Sequence, residues 1–317
     1  MTAISNKSIQ SVVIAGGGTA GWMAAAALSR LVARKLSITL VESEEIGTVG
    51  VGEATIPTLL TINRLLQIPE PAFIKFTRGT FKLGIKFENW LREGHEYLHS
   101  FGDTGKGCWA GGFQHFWLRG QKEGLADDYG SYCTELKAAE ANRFGILSEH
   151  PLNYAYHLDA TAYGQYLRGL AEASGVRRVE GKIQTVELNE NDGFIESLHL
   201  DSGERIHGDL FIDCTGFRAL LSEGALKTGF DDWSHWLPCN RAWAVQTELN
   251  EEPIPYTRAI AHDAGWRWRI PLQHRAGNGL VYCNDFLDED AARERLLALV
   301  DGKPLTDPRP IQFMTGQ

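Results

Sequence analysis

Apolar and polar positions recur with two periods along the chain, and the points where the period changes mark its elements. Ile9 to Ala15 (IQSVVIA) is a β-branched apolar run that leads directly into Gly16-Gly17-Gly18-Thr19-Ala20-Gly21. Trp22 to Lys35 is rich in Ala and Leu, has no internal Gly or Pro, and ends in basic residues that suit the negative end of a helix dipole. Leu36 to Val41 is a second apolar strand, closed by Glu42. Strand, glycine turn, helix and strand in this order predict a βαβ unit, the opening of a doubly wound fold.

Ile46 to Pro57 (IGTVGVGEATIP) is too rich in glycine for a regular element and too apolar for a plain surface loop, which predicts a binding loop. Phe81 to Glu88 alternates with period two, predicting one strand with Lys82 and Lys86 on a shared face; on pattern alone such a face is solvated, and nothing local singles out either lysine. Aromatic residues are dense from there to about Tyr156, a composition that suits a core or a cavity for a flat ligand. Arg178 to Leu188, Phe194 to Leu200 and Arg205 to Asp213 read as successive strands. Within the last, Gly208 to Gly216 (GDLFIDCTG) again delivers an apolar strand into a small-residue turn. Two such strand-to-turn ends predict a discontinuous nucleotide-binding domain over 1–65 and 155–225, with 66–154 and 226–317 as a second lobe. Gly265 to Pro271 (GWRWRIP) puts Trp266, Trp268 and Ile270 on one side of a strand, where the two indoles are expected to form a flat wall.

A length of 317 residues agrees with two lobes. The balance of 31 Lys and Arg against 40 Asp and Glu, net −9, with no basic block, argues against nucleic acid as a partner. Met1 to Gln10 lacks the apolar core of a signal peptide and no apolar run is long enough to span a bilayer, so no membrane association and a cytoplasmic location are expected. The five cysteines are odd in number and widely spaced, which suggests reduced thiols rather than a disulfide framework.

The glycine turn carries the clearest chemistry. Gly16, Gly18 and Gly21, with Thr19 and Ala20 in the same turn, place small residues where the turn is tightest, where backbone approaches a pyrophosphate and where helix packs on strand, and the N-terminus of the following helix faces the phosphates. Glu42, with Ser43 beside it, would accept hydrogen bonds from a ribose hydroxyl pair and repel a 2′-phosphate, favouring FAD or NAD over NADP. His95-Glu96-Tyr97-Leu98-His99 matches the H-E-x-x-H zinc signature, but Gly94, Gly102 and Gly105 crowd the helix that zinc ligation needs, so no metal is expected.

Taken together these segments resemble the flavin-dependent tryptophan halogenases. The resemblance rests on GGGTAGWMAA (Gly16 to Ala25), VGVGEATIP (Val49 to Pro57), FKLGIKFENW around Lys82, LHSFG (Leu98 to Gly102), FWLR (Phe116 to Arg119), LFIDCTGFRALL (Leu210 to Leu221) and GWRWRIP, in family order. It implies an α/β protein: an FAD-binding doubly wound domain, Rossmann-like and of the glutathione-reductase/hydroxylase type, with an interleaved α+β substrate lobe. It implies further that FAD arrives reduced, as FADH2 from a separate flavin reductase, and that O2 and a halide ion are consumed to give hypohalous acid. Lys82, not Lys86, matches the family lysine that receives this reagent and presents it to an indole-type substrate. Glu53 and Ala54 would belong to a strap between flavin and substrate, His99 and Phe101 would stack on the substrate ring, Trp266 and Trp268 would shield the flavin, and Ile183 would pack on adenine. Relatives continue well past the last residue here, so the family's C-terminal portion, with its halide-binding segment and a glutamate that works with the lysine, is expected to be missing. An FAD-dependent aromatic hydroxylase, or a truncated FAD-binding module without catalysis, are the alternatives; Lys82 and the two tryptophans argue against the former.

Overall fold

A computed structural model describes residues 8–32, 36–47, 53–146 and 148–316. Its first layer is a four-stranded parallel sheet in the order Leu210–Asp213, Ser11–Ala15, Ser37–Glu42, Arg177–Glu180. The strand Ser11–Ala15 is apolar and buried from Val12 onward because both of its faces are covered. Val12 and Ile14 pack under the helices Thr19–Leu31 and Ala160–Ala173, where Trp22, Tyr163 and Leu167 complete the core. Val13 and Ala15 face the opposite way, onto Leu198, Leu200 and Ile206 of an antiparallel meander formed by Ile183–Leu188, Ile195–Leu200 and Arg205–His207.

A seven-stranded sheet forms the second layer, ordered Arg309–Gln312, Arg241–Thr247, Ala276–Tyr282, Gly265–Pro271, Thr257–His262, Gly84–Glu88, Glu96–Ser100. Its strands are antiparallel except where Thr257–His262 meets Gly84–Glu88. Between the two layers lies a small sheet whose middle strand, Ala155–Leu158, pairs with Glu53–Ala54 on one side and Thr80–Lys82 on the other. All four residues of that middle strand are buried.

Several expected strands divide between sheets. Phe81 to Glu88 is not one strand: Thr80–Lys82 and Gly84–Glu88 belong to different sheets, and Lys82 and Lys86 share no face. The break falls at fully buried Leu83, whose N–H goes to the Pro255 carbonyl (2.7 Å) and whose carbonyl accepts from Phe101 N–H (2.8 Å). Arg178 to Leu188 divides at Gly181, held at φ +158°, into Arg177–Glu180 and Ile183–Leu188. Arg205 to Asp213 divides at Gly208, where a Cβ would lie 2.7 Å from Val13 Cγ2. The first helix begins at Thr19 rather than Trp22, so Thr19-Ala20-Gly21 is its first turn and not part of the loop. Residues 33–35 of that helix segment, and 48–52 of the glycine-rich segment 46–57, lie outside the described residues. All five cysteines are free thiols, and no helix among the described residues is long and apolar enough to cross a membrane.

Candidate active site

Gly16 turns the chain at φ +105°, and its N–H reaches the Val41 carbonyl at 2.8 Å. A Cβ there would sit 2.2 Å from the Cys214 carbonyl oxygen, and one on Gly21 would sit 1.9 Å from the Gly16 carbonyl oxygen, so glycine is needed at both positions for close backbone approach. Gly18 differs: a Cβ on it would meet nothing within 4 Å. It faces open space at the N-terminus of Thr19–Leu31, a helix with no side-chain cap, which leaves N–H groups available to an anion. The cradle therefore fits a pyrophosphate.

Glu42 lies over this turn and its carboxylate is already anchored. Trp22 Nε1 donates to one oxygen at 3.1 Å, Arg178 Nε donates to the other at 2.6 Å, and Arg168 lies 3.5 Å away. Arg178 also reaches Glu44 at 3.0 Å and contacts Glu180. Four carboxylates, Glu42, Glu44, Glu172 and Glu180, around the guanidiniums of Arg168 and Arg178 keep this end of the cradle acidic, in line with the argument against a 2′-phosphate. Ser43 is occupied locally, its hydroxyl accepting from Glu45 N–H at 3.3 Å. Ile183 is half-buried against the cluster that holds Val13 and Val41. The second turn is organised by Asp213, which accepts from the N–H groups of Thr215, Leu221 and Ser222 and from both hydroxyls, at 2.6 to 3.0 Å. Burial alone would raise its pKa; these hydrogen bonds outweigh burial and hold it below the usual value.

The lysine sits at the junction of the layers. Lys82 is 2% exposed, its Nζ donates to the Thr55 carbonyl at 2.9 Å, and it stands 5.3 Å above the centroid of the Phe101 ring. Burial lowers its pKa from 10.5 to about 8. Thr55 directly follows Glu53–Ala54 and is fixed to Tyr156 by its N–H and its hydroxyl, both at 2.9 Å from the Tyr156 carbonyl. Gly84 brings Phe101 to the lysine, since a Cβ there would lie 2.4 Å from the His99 carbonyl oxygen and push the neighbouring strand away. His99 itself is exposed on that strand and paired with Ile85. Lys86 is held instead in a 2.7 Å ion pair with Glu96.

Trp266, Trp268 and Ile270 share one face, as their spacing predicts, and pack with Ala242, Ala244 and Val281. The indoles do not form a flat wall. Their centroids are 5.9 Å apart and their planes are inclined at 52°, because Trp268 nests over Gly279, where a Cβ would come within 2.0 Å of the ring. Glu96–Ser100 is a strand, so His95 and His99 do not share the helical face that H-E-x-x-H zinc sites use.

Sequence reasoning does not reach the groups around the lysine. His157 is wholly buried, with Thr80 Oγ1 3.0 Å from its Nδ1 and Thr257 Oγ1 3.0 Å from its Nε2. Its signal was present: a histidine in the apolar run YAYHL demands buried partners. Trp22 and Arg178, which anchor Glu42, give no such signal, since both fit an ordinary helix and strand.

Glycine turn, parallel sheet and acidic strand end define a Rossmann-like unit of the FAD-binding kind, here joined to a buried lysine. The sequence profile of the tryptophan halogenases matches residues 11–317, and the chain belongs to that family. Tryptophan 7-halogenase RebH of Lentzea aerocolonigenes is 36% identical over 98% of this chain and 62% of its own length. For 7-chloro-L-tryptophan 6-halogenase KtzR of Kutzneria sp. (strain 744) the identity is 35% over 91% of this chain and 61% of that protein. Among solved structures, Xcc4156, a flavin-dependent halogenase from Xanthomonas campestris, matches with a TM-score of 0.95 at 55% identity, covering 98% of this chain and 63% of that one. The chain thus spans less than two thirds of the length of each of these relatives.

Proposed function

We propose that the chain is the flavin- and lysine-bearing part of a flavin-dependent halogenase that acts on tryptophan or a related indole. The observation that carries this reading is Lys82, buried in the small sheet with its amine on the carbonyl of Thr55, immediately beside the proposed strap residues Glu53 and Ala54. Reduced FAD, supplied by a separate flavin reductase, would furnish the reducing equivalents with which O2 converts a halide ion to hypohalous acid. Gly16, Gly18, Thr19, Ala20 and Gly21 would hold the pyrophosphate, Glu42 and Ser43 the ribose side, and Ile183 the adenine.

Lys82 then handles the halogen. As an ammonium it donates a hydrogen bond to the oxygen of hypohalous acid; as a free amine it takes the halogen from that oxygen as a haloamine, the O–halogen bond breaking and the hydroxide leaving with an amine proton as water. A pKa of about 8 makes both forms accessible near neutral pH. Selectivity follows from position, because only the ring carbon brought next to Lys82 would react. His99 and Phe101 would hold that ring, and Trp266 and Trp268 would keep it from the flavin. In this reading 1–65 and 155–225 form the flavin domain and 66–154 with 226–317 the substrate lobe, in a protein of the reducing cytoplasm. Product analysis tests it: a protein carrying the relatives' C-terminal portion, given reduced FAD, O2, bromide and tryptophan or indole, should yield a brominated ring. A hydroxylated ring would instead make the protein an aromatic hydroxylase.

A further inference from the structure

Among the described residues Thr80–Lys82 is an edge strand of its small sheet, paired only with Ala155–Leu158. Thr80 lies opposite His157 and Lys82 opposite Ala155, so the four side chains share one face of the pleat. Thr80 Oγ1 makes two contacts there: it donates to the Pro271 carbonyl at 2.7 Å and lies 3.0 Å from His157 Nδ1. A carbonyl can only accept, so the hydroxyl proton is committed to Pro271 and Nδ1 must carry the hydrogen that Thr80 receives. Nε2 of the neutral ring is then an acceptor, and Thr257 donates to it at 3.0 Å. The hydrogen bonds run in one direction, from Thr257 through His157 and Thr80 to Pro271.

Pro271 ends the strand that carries Trp266 and Trp268, so this chain of bonds ties the lysine strand to the large sheet. The same hairpin is tied further by Arg275 to Asp159 at 3.0 Å, by Gln273 Nε2 to the Gly79 carbonyl at 2.7 Å and by Gln273 N–H to the Arg78 carbonyl at 3.2 Å. His157 is wholly buried, its two ring nitrogens face hydroxyls rather than carboxylates, and the charged group coupled to it is Lys82. We infer that His157 is a positioning residue for Lys82, locked as the neutral Nδ1–H tautomer so that it fixes the lysine strand to the large sheet without placing a second cation beside the amine. This rests on the reading of Lys82 as the halogen-handling residue. Burial, with the Lys82 charge adding to it, lowers the imidazole pKa to about 3, in keeping with the neutral form.

Heteronuclear NMR on the protein labelled at His and Lys tests the inference without turnover. The His157 ring should show Nδ1 protonated and Nε2 bare, unchanged between about pH 5 and 8, where a free imidazole titrates. Thr80→Val should release the tautomer and, by loosening the strand and admitting water, raise the Lys82 pKa by about one unit; Thr80→Ser should restore both. A purely structural threonine would alter melting temperature but neither signal. A proton on Nε2, or titration of His157 near the ordinary imidazole value, overturns the inference even if Thr80→Val does not fold. An unchanged Lys82 pKa in folded Thr80→Val also overturns it. A Lys82 that titrates near 10.5 in the unaltered protein overturns the lysine reading instead.

Discussion

Replacing Lys82 by methionine should stabilise the protein at neutral pH while removing the residue proposed to handle the halogen. The folded chain holds the amine at a pKa of about 8 against 10.5 when unfolded. Between those values unfolding takes up a proton, so stability rises with pH; the destabilisation is complete below the folded value and fades as pH passes the unfolded one. A difference of 2.5 units corresponds to about 3 kcal/mol at pH 7. Methionine fills similar volume without charge but leaves the Thr55 carbonyl without its donor, which costs about 1 kcal/mol. The net expectation for Lys82→Met is a gain of about 2 kcal/mol at pH 7, shrinking by about 2.5 kcal/mol at pH 10 to near zero or slightly below. Urea unfolding of both proteins at the two pH values measures this, and other titrating groups cancel in the comparison. Equal differences at both pH values, or a less stable Lys82→Met at pH 7, would refute the claim that burial depresses this amine.

Other outcomes follow from the same structure. Gly18→Val, which fills the open side of the cradle, should weaken FAD binding at least about tenfold in a flavin-fluorescence titration while leaving the fold intact, because its Cβ meets nothing within 4 Å. Gly279→Ala should displace the Trp268 ring and cost about 1–3 kcal/mol, seen as a shifted tryptophan emission and a lower urea midpoint. Trp22→Phe keeps the ring in the core but removes the 3.1 Å bond to Glu42, so a loss of FAD affinity of about fivefold, near 1 kcal/mol, is expected with circular dichroism unchanged.

The parts of the fold that were legible are those in which one local pattern serves one sheet. IQSVVIA and the glycine turn announce a strand covered on both faces and a backbone that must come close to something, and both are found. The tryptophan alternation likewise survives in Trp266, Trp268 and Ile270. Patterns failed where one apolar run serves two sheets. Period two continues through Phe81 to Glu88 although the chain changes sheets at Leu83, because alternation records which side of the local strand a residue faces and not which sheet that strand joins. That is why Lys82 and Lys86 looked equivalent and why only one of them is buried. His157, Thr80 and Thr257 escaped for a related reason: their contacts join residues up to 191 positions apart. No spacing rule covers such distances.

The claim that Lys82 transfers the halogen is tested most directly by comparing Lys82→Ala with Lys86→Ala in a protein that carries the relatives' C-terminal portion, following flavin oxidation and brominated product together. Lys82→Ala should oxidise reduced flavin at an undiminished rate while product falls to background, and Lys86→Ala should retain most product, since its amine is engaged by Glu96 at the edge of the large sheet. Bromination that persists in Lys82→Ala, or that is lost only in Lys86→Ala, would contradict the assignment of the halogen-handling residue.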